Sequence, residues 1–109
     1  MSGRVLLDQT IVLGPNQEQH FGPISYLDNW KLILSSSGTV RHYLGLFDQA
    51  EYARLTSIRT AAGRFPFVFG TDRTGHLLYF NTQSNGQLYV VVRVGVFNPQ
   101  GTIRVRLEC

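Results

Sequence analysis

The stretch QLYVVVRVGVFNPQGTIRVRLEC, residues 87–109, carries the pattern on which the fold turns. Two runs of β-branched residues flank NPQG, which places Pro second and Gly fourth, as a turn prefers. Taken as a hairpin, the stretch pairs Val94 with Val105 and Val92 with Leu107. Upstream, Asn85-Gly86 is the strongest short-range hairpin signal, and a turn there pairs Tyr79 with Val92 and Leu77 with Val94. The two registers agree. Leu77, Tyr79, Val92, Val94, Val96, Ile103, Val105 and Leu107 then share one face, the expected core, because a slip of one residue would move the whole set to the other side.

The opposite face carries Leu78, Phe80, Tyr89, Val91 and Phe97 beside Arg93, Arg104 and Arg106. In this register Arg93 opposes Arg106, with Arg104 diagonal, and like charges directly opposite are unfavourable. A solvated face should be polar at alternate positions, and this one is not. These eight residues are the expected partner-binding surface, covered either by residues 48–63 or by another molecule. The guanidinium groups suit carboxylates on that partner.

Working outward, short apolar runs broken by Gly, Pro, Asn and Ser recur through the chain, as in a sandwich or barrel. RVLLDQTIVL places Val5, Leu7, Ile11 and Leu13 on one side and ends at GPN. QEQHFG, close to Pro23, suits an edge strand. ISYL turns at Asp28-Asn29 into WKLIL, where Trp30, Leu32 and Leu34 share a side. SSSG, residues 35–38, reads as a loop. TVRHYLGLF follows, with Val40, Leu44 and Leu46 on one face and Tyr43 and Phe47 on the other. Asp48 and Glu51 have the spacing of a helix cap, so one or two helical turns are expected in the 48–63 connection. FPFVF is strand-like despite Pro66, and TDRTG reads as a turn into HLLYFN.

A chain of 109 residues is expected to form one domain, residues 1–109. Its net charge of +3 suggests nucleic acid until the basic residues are counted, since nine are Arg and only Lys31 is Lys. They lie singly, apart from Arg104 and Arg106, whereas phosphate-tracking surfaces cluster both types. Nucleic acid is therefore not an expected partner. The opening MSGRVLLDQT lacks the parts of a secretory leader, and no run reaches membrane-spanning length. With Cys109 as the single cysteine, a disulfide framework is excluded and cytoplasmic synthesis is expected.

The residues offer little for catalysis. His20, His42 and His76 fall in separate predicted strands, none with a second ligand at metal-like spacing, so neither metal nor cofactor is expected. SSSG has no glycine-framed nucleophile elbow, and a chain-terminal cysteine is poorly placed beside a base. TDRTG lacks the Gly-Lys-Ser/Thr ending of a phosphate loop. No catalytic residue is assigned, and the chain is expected not to be an enzyme.

The expected fold is all-β, an antiparallel jelly-roll-like β-sandwich of about eight strands with a possible short helix in the middle. The expected function is that of a structural or interaction protein that forms a homo-oligomer within a larger assembly. In type, though in no motif, such a leaderless, cysteine-poor sandwich resembles the small capsid-decorating or tail proteins of bacterial viruses. That resemblance implies a trimer clamping neighbouring shell subunits and incorporation into a virion. The alternative is a carbohydrate-binding, lectin-like module in which Trp30, Tyr26 or Tyr43 stacks on sugar rings.

Overall fold

A computed structural model describes residues 4–27, 30–53 and 68–109, with the side chains of Val68 and Phe69 outside the description. Expectations for Asp28-Asn29, for FPF and for the rest of the 48–63 connection beyond Ala53 fall outside the described residues. The strands are β1 (Val5–Leu13), β2 (Glu18–Tyr26), β3 (Lys31–Asp48), β4 (Val68–Asn81), β5 (Gly86–Arg93) and β6 (Gly101–Glu108), with one short helix, α1 (Gln49–Ala53). The class is all-β and every pairing is antiparallel. Among the described residues there are six strands, against an expectation of about eight.

The organising element is β3, 18 residues long. One of its edges is lined by β4, from Lys31 opposite Asn81 to Leu46 opposite Val68. The other edge is shared: β6 lies beside Ile33–Gly38 and β5 beside Tyr43–Asp48. β1 then pairs with β6 and β2 with β5, so the order is β1-β6-β3-β5-β2 with β4 on the far side of β3. The result is a curled antiparallel sheet whose two ends place their apolar side chains in one cluster.

This corrects the register expected for residues 77–107. β5 and β6 do not pair with each other, and β4 pairs with β3 rather than β5. Leu77 lies opposite Ser35 and Leu78 opposite Leu34, so the parity of β4 is inverted. Leu78 and Phe80 pack against the core, whereas Leu77 and Tyr79 are 59% and 55% exposed. Val96 is also exposed, while Val92, Val94, Ile103, Val105 and Leu107 are buried as expected. The turn differs too. Asn98 N–H donates to Gly95 O at 3.2 Å in a local turn that leaves Phe97 exposed, but β5 and β6 run in the same direction along one edge of β3, so the hairpin expected at NPQG does not form.

The expected loop at 35–38 is strand. Leu32, Leu34, Ser36, Val40, His42, Leu44 and Leu46 all point inward, an alternation that runs through both serine and histidine. Gly38 marks the place where β3 passes from β6 to β5. A Cβ there would stand 3.1 Å from both Ile103 Cγ1 and Thr102 O, so the missing side chain lets β6 close on β3. TDRTG likewise belongs to β4, whose register against β3 shifts between Ser37 and Leu44.

Elsewhere the pattern holds. Trp30, Leu32, Leu34, Val40, Leu44 and Leu46 build the main core, while Phe47 and Tyr43 face a second cluster. Leu13 is buried and Leu7 and Ile11 pack against the core, but a register shift between Val5 and Leu7 leaves Val5 exposed. β2, with Pro23, is an edge strand. Cys109 N–H donates to Arg4 O at 2.9 Å and Arg4 N–H to Cys109 O at 3.1 Å, which carries the β1–β6 pairing one step further.

Candidate functional site

The arginines of the opening stretch lie in two separate places. Arg93 is opposite Glu18 on one side and Tyr43 on the other. Its side chain is buried, donating to Glu18 Oε1 at 3.4 Å and to Asn16 Oδ1, while its Nε has no partner. Glu18 also holds His20 Nε2, and His20 Nδ1 meets the Tyr52 hydroxyl at 2.7 Å. This chain of polar contacts joins β2 and β5 to α1.

α1 follows directly from β3. Asp48 Oδ1 accepts from Glu51 N–H at 2.7 Å, which caps the first turn as the spacing predicts. The helix places Tyr52 flat on Tyr89, with ring centroids 3.8 Å apart and planes at 7°. Beneath them Val91 and Phe47 are fully buried. The described part of the 48–63 connection therefore covers Tyr89 and Val91, and these two residues form no open patch.

The eight residues expected to form one surface are thus dispersed. Leu78 and Phe80 face the core, Tyr89 and Val91 lie under α1, Arg93 is buried, and Phe97 stands 96% exposed at a turn. Only Arg104 and Arg106 share an open face, the outer side of β1, β6, β3 and β4. Cross-strand neighbours define it in rows. Asp8, Arg106, Ser35 and Leu77 form one row, and Thr10, Arg104, Ser37 and Gly75 the next. Glu108, Ile33 and Tyr79 form a third.

Its electrostatics are locally balanced. Arg104 grips Asp8 through two bonds of 2.9 and 2.7 Å, a fork that fits a carboxylate. Arg106 lies 3.5 Å from both Asp8 and Glu108. The Arg104 hydrogen bond is the main reason the Asp8 carboxyl is held below its ordinary range, and the same bond raises Arg104. Between the strands Ser35, Ser36, Ser37, Arg104 and Arg106 line a shallow hollow of about 210 Å³. Along the β4 edge the face turns apolar, with Ile33, Leu77 and Tyr79 side by side and Lys31 Nζ 5.6 Å from the Tyr79 ring centre. Sequence reasoning missed Leu77 and Tyr79 because it paired β4 with the wrong strand.

Of the aromatics considered as sugar platforms, Tyr26 is buried in the core, and Trp30 packs against it with the Arg4 guanidinium over its ring. Tyr43 packs on the Phe47–Val91 cluster. A further polar cluster lies inside the sheet. Ser36 and His42, both buried, bond at 2.7 Å, and His76 Nε2 meets His42 O at 2.8 Å. A hydroxyl and an imidazole at this distance resemble a nucleophile and its base. Here the second ring nitrogen bonds the Val40 carbonyl at 2.9 Å and both side chains point into the core, so the pair fastens the bend of β3.

Among the described residues, no group of three His, Cys, Asp or Glu side chains is placed to hold a metal ion. No described helix is long and apolar enough to cross a membrane. No known protein family matches the sequence, and no curated protein matches it.

Proposed function

We propose that this chain is a non-enzymatic structural protein that assembles into a larger protein complex through the outer face of β1, β6, β3 and β4. The observation that carries this reading is the apolar strip of Ile33, Leu77 and Tyr79, the last two exposed, on the same open face as Arg104 and Arg106, with the serines of β3 between Leu77 and the arginines. Exposed apolar side chains flanked by guanidinium groups have the composition of an interface centre and its rim. Arg104 is the more exposed of the two, at 53% against 36%, but its guanidinium is held by the two-bond fork to Asp8, whereas Arg106 makes only contacts of 3.5 Å, to Asp8 and Glu108. A carboxylate on the partner competes with weaker existing contacts at Arg106.

We further propose that the curled sheet is a β-sandwich in the broad sense. Supporting this, the end built from β1 and β6 and the end built from β5 and β2 send side chains into one apolar cluster. The resemblance in type to capsid-decorating proteins adds no residue to the assembly reading. A sugar-binding reading has one observation in its favour, Tyr79 exposed diagonal to Ser35 at the polar hollow.

The test is the size of the native complex in extracts of the cells that make the protein, followed through a tag by gel filtration. Wild-type chain is expected well above its own 12.3 kDa, and a Leu77→Ser, Arg106→Ser variant is expected to elute as a smaller species. Elution of the wild type as a free chain, together with binding to a glycan array that Tyr79→Ser abolishes, would replace the assembly reading with the sugar-binding one.

A further inference from the structure

We infer that β4 pairs with β4 of a second copy of this chain, antiparallel, about a two-fold axis at Leu78. The inference rests on the outer-face reading and names the occupant of its apolar edge. β4 pairs with β3 along one edge, and among the described residues no strand lies on its other edge.

Exposed edges are normally protected by charge, proline or distortion. The other two edge strands carry such devices: Asp8 in β1, and Glu18 with Pro23 in β2. The segment THE β4 edge offers from Thr74 to Asn81, TGHLLYFN, has no Asp, Glu, Lys, Arg or Pro. From Ser37 to Lys31 its pairing with β3 is also regular, so no bulge distorts the edge where it is uncharged.

The same segment is complementary to itself. With Leu78 opposite Leu78, each Leu77 meets the partner's Tyr79 on the outer face, twice by symmetry. His76 then faces Phe80, and Gly75 faces Asn81. No charged side chains are brought opposite each other, so the chain's net charge of +3 raises no local repulsion along the seam. The pairing covers Leu77 and Tyr79, two of the most exposed apolar side chains on any strand.

An antiparallel pair of this kind is isologous and closes at two copies. It also involves far fewer than the roughly 20–30 residues per side of a standard interface, so the dimer forms in a concentration-dependent way.

The experiment is light scattering on the purified full chain over a wide concentration range. The mass is expected to rise from 12.3 kDa toward twice that value. Leu77→Lys and Tyr79→Lys, each at an exposed site, are expected to stay monomeric throughout with an unchanged circular dichroism spectrum. Register is read separately by mixing Leu77→Cys with Tyr79→Cys under oxidation, which is expected to give more disulfide-linked dimer than either variant alone. A wild-type mass fixed at the monomer, a dimer indifferent to both lysine variants, or equal cross-linking by Leu77→Cys alone would overturn the inference. A purified monomer that still enters a large complex in cell extract would overturn the second-copy pairing while leaving the assembly reading intact. A dimer that enters nothing larger would do the reverse.

Discussion

Ser36 Oγ donates to His42 Nε2 across 2.7 Å, and the direction of that bond is fixed by the other side of the ring. Nδ1 lies 2.9 Å from Val40 O, which can only accept, so Nδ1 carries the proton and Nε2 the lone pair. Both polar groups are satisfied inside the sheet at the bend where β3 passes from β6 to β5. Ser36→Ala removes the donor and leaves Nε2 buried without a partner. The expected loss is about 1–3 kcal/mol, read as a shift of the denaturation midpoint. Ser37→Ala, one residue away on the solvent side, is expected to change almost nothing.

The same imidazole predicts a pH dependence. Burial is the main cause that holds His42 below its ordinary value of 6.5, and the Val40 hydrogen bond opposes it only in part. His76, at 5.0 Å between ring centres, disfavours a charge on His42, while Asp72 favours one. A base whose folded value is depressed binds its proton later in the native chain than in the unfolded one. Stability is therefore complete above the unfolded value, and it falls as pH drops from there through the folded value. Denaturation midpoints are expected to be lower near pH 5 than near pH 8. His42→Gln, which keeps a polar group but does not titrate, is expected to flatten that difference. An equal pH dependence in the variant would assign it to other groups.

α1 is short, and its position depends on two contacts that can be removed separately. Asp48→Ala deletes the cap on Glu51 N–H and is expected to cost about 1 kcal/mol. Tyr52→Ala deletes the stack on Tyr89 together with the bond to His20, and it opens the cover over Val91 and Phe47. The larger loss is expected from Tyr52→Ala, accompanied by faster amide exchange in β5. If exchange in β5 were unchanged, the helix would not be the cover of that strand.

Legibility in the sequence followed the distance over which each signal acts. The buried sides of β3 could be read because alternation is local: Leu32, Leu34, Val40, Leu44 and Leu46 needed no knowledge of neighbours. So could the cap at Asp48. The same alternation passes through Ser36 and His42 and runs over residues 32–46 as one strand, although SSSG has the composition of a loop. Strand partners were not local. Asn85-Gly86 and NPQG suggested hairpins, but β3 offers apolar side chains along 18 residues and takes β4 on one edge and both β5 and β6 on the other. Because pairing sets parity, the hairpin at Asn85-Gly86 places Leu77 and Tyr79 inside and Leu78 and Phe80 outside. The hairpin at NPQG sets Arg93 beside Arg106, whereas each arginine has an acidic cross-strand neighbour, Glu18 and Asp8 respectively.

Arg93 and Glu18 give a final prediction, in which two ways of disrupting one pair have different costs. Both side chains are largely buried, their closest atoms are 3.4 Å apart, and the Arg93 Nε is already without a partner. A buried pair recovers in mutual attraction roughly what it loses in desolvation, so replacing both members by apolar side chains can be nearly neutral, whereas removing one strands the other. Glu18→Ala leaves the buried guanidinium with Asn16 alone, while Arg93→Met leaves the Glu18 carboxylate still bonded to His20. Glu18→Ala is therefore expected to lose several times more stability than Arg93→Met, and the double variant to recover much of that loss. Glu18→Ala also frees His20 from its carboxylate partner and so loosens the contact with Tyr52. Chemical denaturation of the three variants against wild type decides the matter. If Arg93→Met were the costlier substitution, the guanidinium would be stabilised by more than Glu18 and Asn16.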